Sequence, residues 1–294
     1  MLTGGRADVK LRAGLSRGFG VPQSEDLPLS GFRAVSIATN LPGPVATVRL
    51  AALGMDVLKI EPPSGDLLSM GAKAWYDEVC GASAAVESLD LRASEDRERF
   101  DAHLRDADLL ITSHRRSGLQ RLGITEEALA SLNPGLCWVE IVGDTENPDV
   151  PGHDLTYQAE VGLVDGTAMP RTVIADMAGA DDAVAASLSL LLARERGKAA
   201  RHAVVGLKQA AERFAQPVRH GLTVDGGVLS GALNAYAIYP LKDGFVACAA
   251  IEPHFAMRFA ALAGDDPRQF FSGKTVAEVD ALAADNDLPL KSFR

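Results

Sequence analysis

Four side chains in this sequence stand out as candidates for acid-base chemistry. The segment PGHDLTY (151–157) sets His153 beside Asp154 after a Pro-Gly turn, IADMAG (174–179) carries Asp176, and AIEPHF (250–255) carries Glu252. Imidazole and carboxylate are the usual general acids and bases. Asp176 precedes an apolar helical pattern by a few residues, where the partial positive charge of a helix terminus favours the carboxylate. By spacing alone the plainer readings are favoured: a capping or loop aspartate, a polar loop histidine, and a glutamate that ends a strand before a helix opening near Pro253. GxGxxG, GxxxxGK[ST] and HExxH do not occur, which removes the common dinucleotide, phosphate-loop and zinc readings.

The elements that must position these groups follow an alternating pattern. From about residue 31, FRAVSIA, DVLKIE, SLDLR, DLLITS and LCWVEIVG read as short strands, with GPVATVRLAALG, EDRERFDAHLRDA and TEEALASLN as the helices between them. Short apolar strands separated by amphipathic segments predict an open, doubly wound parallel sheet with helical crossovers. Pro44 near the start of the first helix and Gly54 just past its end match the preferred helix ends. Thr125 before Glu126 and Glu127 opens another helix. Residues 144–175 are turn-rich and predict an irregular functional loop. Val184, Leu188, Leu191 and Leu192 then recur at the spacing of a buried helix closed by Gly197. YAIYPLKDGFVACAAIE predicts a hairpin turned at Lys242, Asp243 and Gly244, followed by helices around PHFAMRFAALAG and TVAEVDALAADN. The organisation expected is an extension over 1–30, a large α/β domain over 31–221 and a smaller α+β domain over 222–294.

Composition bounds the partners. With 294 residues, 47% of them hydrophobic, the chain can bury one large or two smaller cores. A formal charge of -10 argues against nucleic acid as the partner. Neither an apolar run long enough to span a membrane nor a signal-like amino terminus is present, so a cytoplasmic location is expected. Cys80, Cys137 and Cys248 are widely spaced and read as buried apolar residues; no metal site is expected.

Taken in order, LPGPVATVRLAALGMDVLKIEPPSGD, SLDLR, DADLLITSHRRSGLQRLGI, NPGLCWVEIVG, GHDLTYQA and IADMAGADDAVAASLSLLLARER resemble the class III CoA-transferase superfamily (CaiB/BaiF type) over roughly residues 30 to 290. The resemblance implies that Asp176 is the catalytic carboxylate. Transferases of that superfamily use it as a nucleophile toward an acyl thioester, and α-methylacyl-CoA racemases use it for proton transfer. The histidine of GHD and the glutamate of AIEP are similar to the racemase branch. There His153 is implied as the second acid-base group and Glu252 as the residue that pairs with and orients the histidine in an interlocked dimer. An enolate held between opposed proton donors can be reprotonated on either face, with fixed donors stabilising its oxygen. The backbone N–H groups where Asp176 meets its helix are candidate oxyanion donors. Arg115 and Arg121 fall at the phosphate-contacting positions of the superfamily's arginine-rich turn, and Gly43 and Pro44 of LPGP border the ligand, Gly43 through close backbone approach. Coenzyme A enters as part of the substrate, and no prosthetic group is implied.

Three departures accompany the resemblance. Pro62 stands where an arginine is common, and Ala84 and Ala85 where a lysine and an arginine are common, removing cations each worth roughly 1.5–3 kcal/mol in a charge-assisted hydrogen bond. The chain stops at LPLKSFR, short of a segment that helps wrap the dimer, so the small domain is expected to be shortened. The leading reading is an acyl-CoA racemase or epimerase acting on a 2-methylacyl-CoA-like thioester. The alternatives are a CoA-transferase working through an Asp176 acyl anhydride, or a degenerate subunit paired with a longer homologue. A homodimer, or a heteromer with such a homologue, is the expected assembly.

Overall fold

A computed structural model describes residues 27–81 and 84–294, and the chain divides into two compact units, the first ending at Phe214 and the second running from Ala215 to Arg294. The division comes seven residues before the expected boundary at 221. Of the expected extension over 1–30, residues 1–26 lie outside the described residues, while Leu29 is buried against the first core.

The first unit is a six-stranded parallel sheet: β1 (Arg33–Ser36), β2 (Asp56–Glu61), β3 (Ala85–Ser88), β4 (Leu109–Thr112), β5 (Cys137–Val142) and β6 (His202–Gly206). The spatial order is β3-β2-β1-β4-β5-β6, the doubly wound order expected. Alternation within the strands divides the core into two. Leu109 and Ile111 face one cluster, with α1 (Pro42–Ala52) and the long helix α8 (Ile174–Glu195). Leu110 faces the other, with α4 (Ser94–Arg105), α5 (Arg116–Arg121) and α6 (Glu126–Leu132). Between β2 and β3 lie the short helices α2 (Leu67–Gly71) and α3 (Lys73–Tyr76), and after β6 comes α9 (Leu207–Phe214). Thr125 caps α6 as expected, accepting from Ala128 N at 3.3 Å. The three cysteines are buried and free.

Three sequence expectations need correction. The strand sought in SLDLR is Ala85–Ser88, an edge strand with largely exposed side chains and so no apolar run to mark it. The stretch 144–175 is not wholly irregular, because α7 (Asp154–Glu160) forms inside it and α8 begins at Ile174. Along α8 the buried stripe passes through Ala180, Ala183, Ser187, Leu190 and Leu191, while Leu188 is 37% and Leu192 55% exposed. Small residues let this helix lie close on the sheet, so the leucine spacing misjudged its inner face.

The second unit contains α10 (Gln216–Arg219), the antiparallel strands β7 (Tyr236–Pro240), β8 (Phe245–Ala249) and β9 (Leu290–Phe293), and helices α11 (Pro253–Ala263), α12 (Pro267–Ser272) and α13 (Val276–Asp285). Its core gathers Tyr239, Val246, Phe259, Phe271, Val279 and Leu290. The hairpin turns at Lys242–Gly244 as read from the sequence, with Leu241 N donating to Gly244 O at 2.8 Å. No helix among the described residues is long and apolar enough to cross a membrane.

Candidate active site

Between β1 and β4 the strand order of the first unit reverses, and in open α/β sheets the crevice beyond the carboxyl ends of strands at such a point is where ligands bind. A cavity of about 250 Å³ opens there. Thr39, Asn40 and Pro42 after β1 supply one part of its wall, and Ser113, His114 and Arg115 after β4 another. The end of β5 contributes Gly143, the following loop Pro148 and Val150, and the next two helices Tyr157 and Asp176, with His153 at the head of α7.

His153 and Asp176 therefore line the same cavity although 22 residues separate them. What joins them is Asp154. This buried carboxylate accepts from Ala175 N at 2.7 Å and Asp176 N at 3.1 Å, and its second oxygen accepts from Gln158 Nε2 at 2.5 Å. Gln158 also donates to Thr172 O at 3.0 Å. Asp154 so fastens the first turn of α8 to α7, satisfying helix N–H groups that lack intrahelical partners. His153 precedes α7 in an extended conformation, its N–H donating to Thr156 Oγ1 at 3.0 Å while that hydroxyl donates back to His153 O at 2.7 Å.

Three expectations about this turn are corrected. Asp176 lies within the first turn of α8, not ahead of it, and the N–H groups of Ala175 and Asp176 are occupied by Asp154 and so are not free as oxyanion donors. Nor does the helix terminus hold Asp176 ionised: burial, and then the charge of Asp154, raise its pKa from 3.8 to about 7.

Tyr157 was not singled out by sequence reasoning. Its ring is buried, and a Cβ built on Gly143 or Gly152 would fall 2.0 Å or 2.5 Å from its hydroxyl oxygen. Those two glycines make the slot that holds the phenol against the cavity, and burial followed by the charge of Asp176 pushes the phenol pKa up. Its place four residues after His153, inside the same PGHDLTY segment, is the sequence signal that could have found it. The loop that carries Pro148 and Val150 is pinned near its start and at its middle. Asp149 Oδ1 accepts from Ser117 N at 2.9 Å, and Asp144 accepts from Gln209 Nε2 at 2.7 Å and Glu146 N at 3.0 Å. The Gln209 bond is the main reason that the Asp144 carboxyl is held down to about 2.

The expected ligand-binding residues divide. Arg115 is exposed on the cavity wall, whereas Arg121, the exposed last residue of α5, is not among the residues lining it. Pro42 is the part of LPGP that borders the cavity; Pro44 is buried inside α1. Gly43 does permit a close approach, but to the chain itself, since a Cβ there would lie 2.2 Å from that of Ala38. Glu252 belongs to the second unit, exposed immediately before α11. A second cavity of about 380 Å³ lies beyond His114, which lines both, and is bordered by Ile60, Glu61, Pro62, Asp90 and Arg92. Arg92 is paired with Asp90 at 2.8 and 3.0 Å. Burial lowers the pKa of His114, whose Nδ1 has no hydrogen-bond partner among the described residues.

Residues 29–286, most of the chain, match the family model for CoA-transferase family III. The chain belongs to that family. A succinate–glutarate CoA-transferase from Agrobacterium fabrum is 27% identical over 249 residues, covering 74% of this chain and 62% of that protein. A formyl-CoA:oxalate CoA-transferase from Streptomyces avermitilis is 26% identical over 215 residues, 66% of this chain and 53% of its own length. The chain thus spans between half and two-thirds of the length of these relatives. Among solved structures, a CAIB/BAIF family protein from Brucella suis superposes with a TM-score of 0.75 over 92% of this chain and 85% of its own, at 20% identity. A hypothetical protein from Mycobacterium tuberculosis superposes with a TM-score of 0.74 over 90% and 84%, at 22% identity. These likenesses establish the fold.

Proposed function

We propose that this family member is an acyl-CoA racemase or epimerase, which exchanges the α-proton of a 2-methylacyl-CoA-like thioester. The observation that carries the reading is the pairing of His153 and Asp176 on one cavity, with Asp176 raised to about 7. A carboxyl group that is half protonated near neutrality can give or take a proton at the pH of the cell, which suits general acid-base work. In one direction the imidazole of His153 removes the α-proton, the electron pair moves onto the thioester oxygen as an enolate, and Asp176 delivers its own proton to the opposite face of the α-carbon. In the other direction the roles exchange. Arg115 is assigned to the phosphates of coenzyme A, and Glu252 to orienting an imidazole across an interlocked dimer.

A second reading, CoA transfer between carboxylic acids with Asp176 as nucleophile, is favoured by the activities for which the two relatives are named. The experiment that separates the two is incubation with (R)- and (S)-2-methylacyl-CoA in deuterium oxide. The racemase reading expects α-deuterium in both epimers, and its loss in His153→Ala and in Asp176→Ala. Acyl transfer to a free acid that survives His153→Ala, with a hydroxylamine-trapped acyl-enzyme and no α-deuterium, would replace it with the transferase reading.

A further inference from the structure

The wall supplied by the turn from β1 into α1 is held by side chains that have no part in the proton transfers. Asn40 on that wall has a φ of 68°, in the left-handed region that side chains other than glycine enter at a cost. Two fasteners hold the turn. Ser113 Oγ accepts from Thr39 N at 2.9 Å and donates to Thr39 O at 3.4 Å. On the other side Asp66 Oδ1 accepts from Asn40 N at 3.0 Å and from Leu68 N at 2.9 Å.

Asp66 is fully buried, and its other oxygen accepts from Lys59 Nζ at 2.7 Å. Lys59 is itself 0% exposed, in the middle of β2 between the core residues Val57 and Ile60, and it also bonds Glu61, which accepts from Tyr76 Oη at 2.7 Å. A lysine buried in a strand is costly unless its charge is matched, and an apolar side chain of similar volume would serve the sheet as well or better. What the ion pair adds is a carboxylate with a single orientation, one oxygen committed to Lys59 and the other to the two backbone N–H groups.

We propose that Asp66, aimed by Lys59, is a positioning residue that fixes the left-handed turn at Asn40 and with it the cavity wall formed by Thr39, Asn40 and Pro42. The inference rests on the reading of this cavity as the active site. Asp66 acts on turnover through the placement of that wall, since small displacements of groups that hold a substrate against its catalytic side chains lower the turnover rate steeply.

Three variants of the full chain test it: Asp66→Ala, Asp66→Asn, and Lys59→Met combined with Asp66→Asn. In Asp66→Asn the amide oxygen is drawn to Lys59, so Asn40 loses its acceptor. Adding Lys59→Met frees that oxygen to face Asn40 and Leu68 again. Hydrogen exchange of the Asn40 amide, measured without substrate, is expected to speed up about tenfold or more in both single variants. The turnover rate is expected to fall roughly 10–100-fold with them. The double variant is expected to return both to within about threefold of the wild type, a rescue that loss of packing alone would not give. Unchanged Asn40 exchange in Asp66→Ala, or lost protection with unchanged turnover, overturns the proposal. So does a double variant that stays unprotected, and that comparison holds even where a single variant fails to fold. Absence of any acyl-CoA activity in the wild type would remove the proposed function, while the exchange data would still judge the fastening.

Discussion

The raised pKa of Asp176 has a measurable cost in stability. In the unfolded chain the carboxyl ionises near 3.8, whereas in the fold it holds its proton to about 7. Between those values the folded state binds more protons than the unfolded state, so stability falls as pH rises through that window. At about 1.4 kcal/mol for each pKa unit the full difference amounts to about 4 kcal/mol, and relaxation around a partly exposed group reduces it to roughly 2–4 kcal/mol. Asp176→Asn, which removes the charge and keeps the shape, is therefore expected to stabilise the first unit by roughly 2–4 kcal/mol at pH 8. At pH 4.5 the gain should shrink to roughly a quarter of that value. Both tryptophans, Trp75 and Trp138, lie in the first unit, so their fluorescence during urea unfolding reports on it directly. A variant no more stable than the wild type at pH 8, or a gain that does not change with pH, would refute the reasoning.

Two other substitutions probe the same end of the sheet. Asp154→Ala strips the acceptor from Ala175 N, Asp176 N and Gln158, and a buried set left unpaired should cost about 2–3 kcal/mol in a urea titration. It also removes the nearby charge, so the Asp176 carboxyl should titrate at lower pH in a carbon-13 NMR experiment while burial still keeps it above 3.8. Gly43→Ala forces a Cβ to 2.2 Å from that of Ala38 and should lower stability by about 1–3 kcal/mol, a loss that Ala38→Gly in the same chain relieves.

What the sequence disclosed follows from burial. β1, β2, β4 and β5 were legible because strands covered on both faces are nearly continuous apolar runs. The edge strands were not. β3 was sought a few residues late, and β6, HAVVG with its first three residues partly or fully exposed, carries too little apolar character to mark it. The start of α8 was hidden because IADMAGA contacts its neighbours through alanine and glycine, which hydrophobic spacing barely registers.

In the site, His153, Asp176 and Arg115 were reached through motif resemblance and share one cavity. Arg121, Gly43 and Pro44 belong to the same motifs but do not line that cavity: Arg121 is exposed at the end of α5, and Gly43 and Pro44 are buried in α1. Asp154 was weighed as an acid-base group and is instead a cap, a role that depends on an aspartate in α7 meeting a helix 20 residues on. Lys59 carried a usable signal: a lysine in the middle of a strand read as buried must have a carboxylate partner, and Glu61 and Asp66 both follow closely.

The most direct measurement is a crystal structure of the protein with a 2-methylacyl-CoA bound. The proposed chemistry predicts the α-carbon in the switch-point cavity, with a ring nitrogen of His153 and a carboxylate oxygen of Asp176 each about 3–3.5 Å away on opposite faces. An acyl group lodged elsewhere, or both side chains on one face of the α-carbon, would contradict stereochemical inversion at this site.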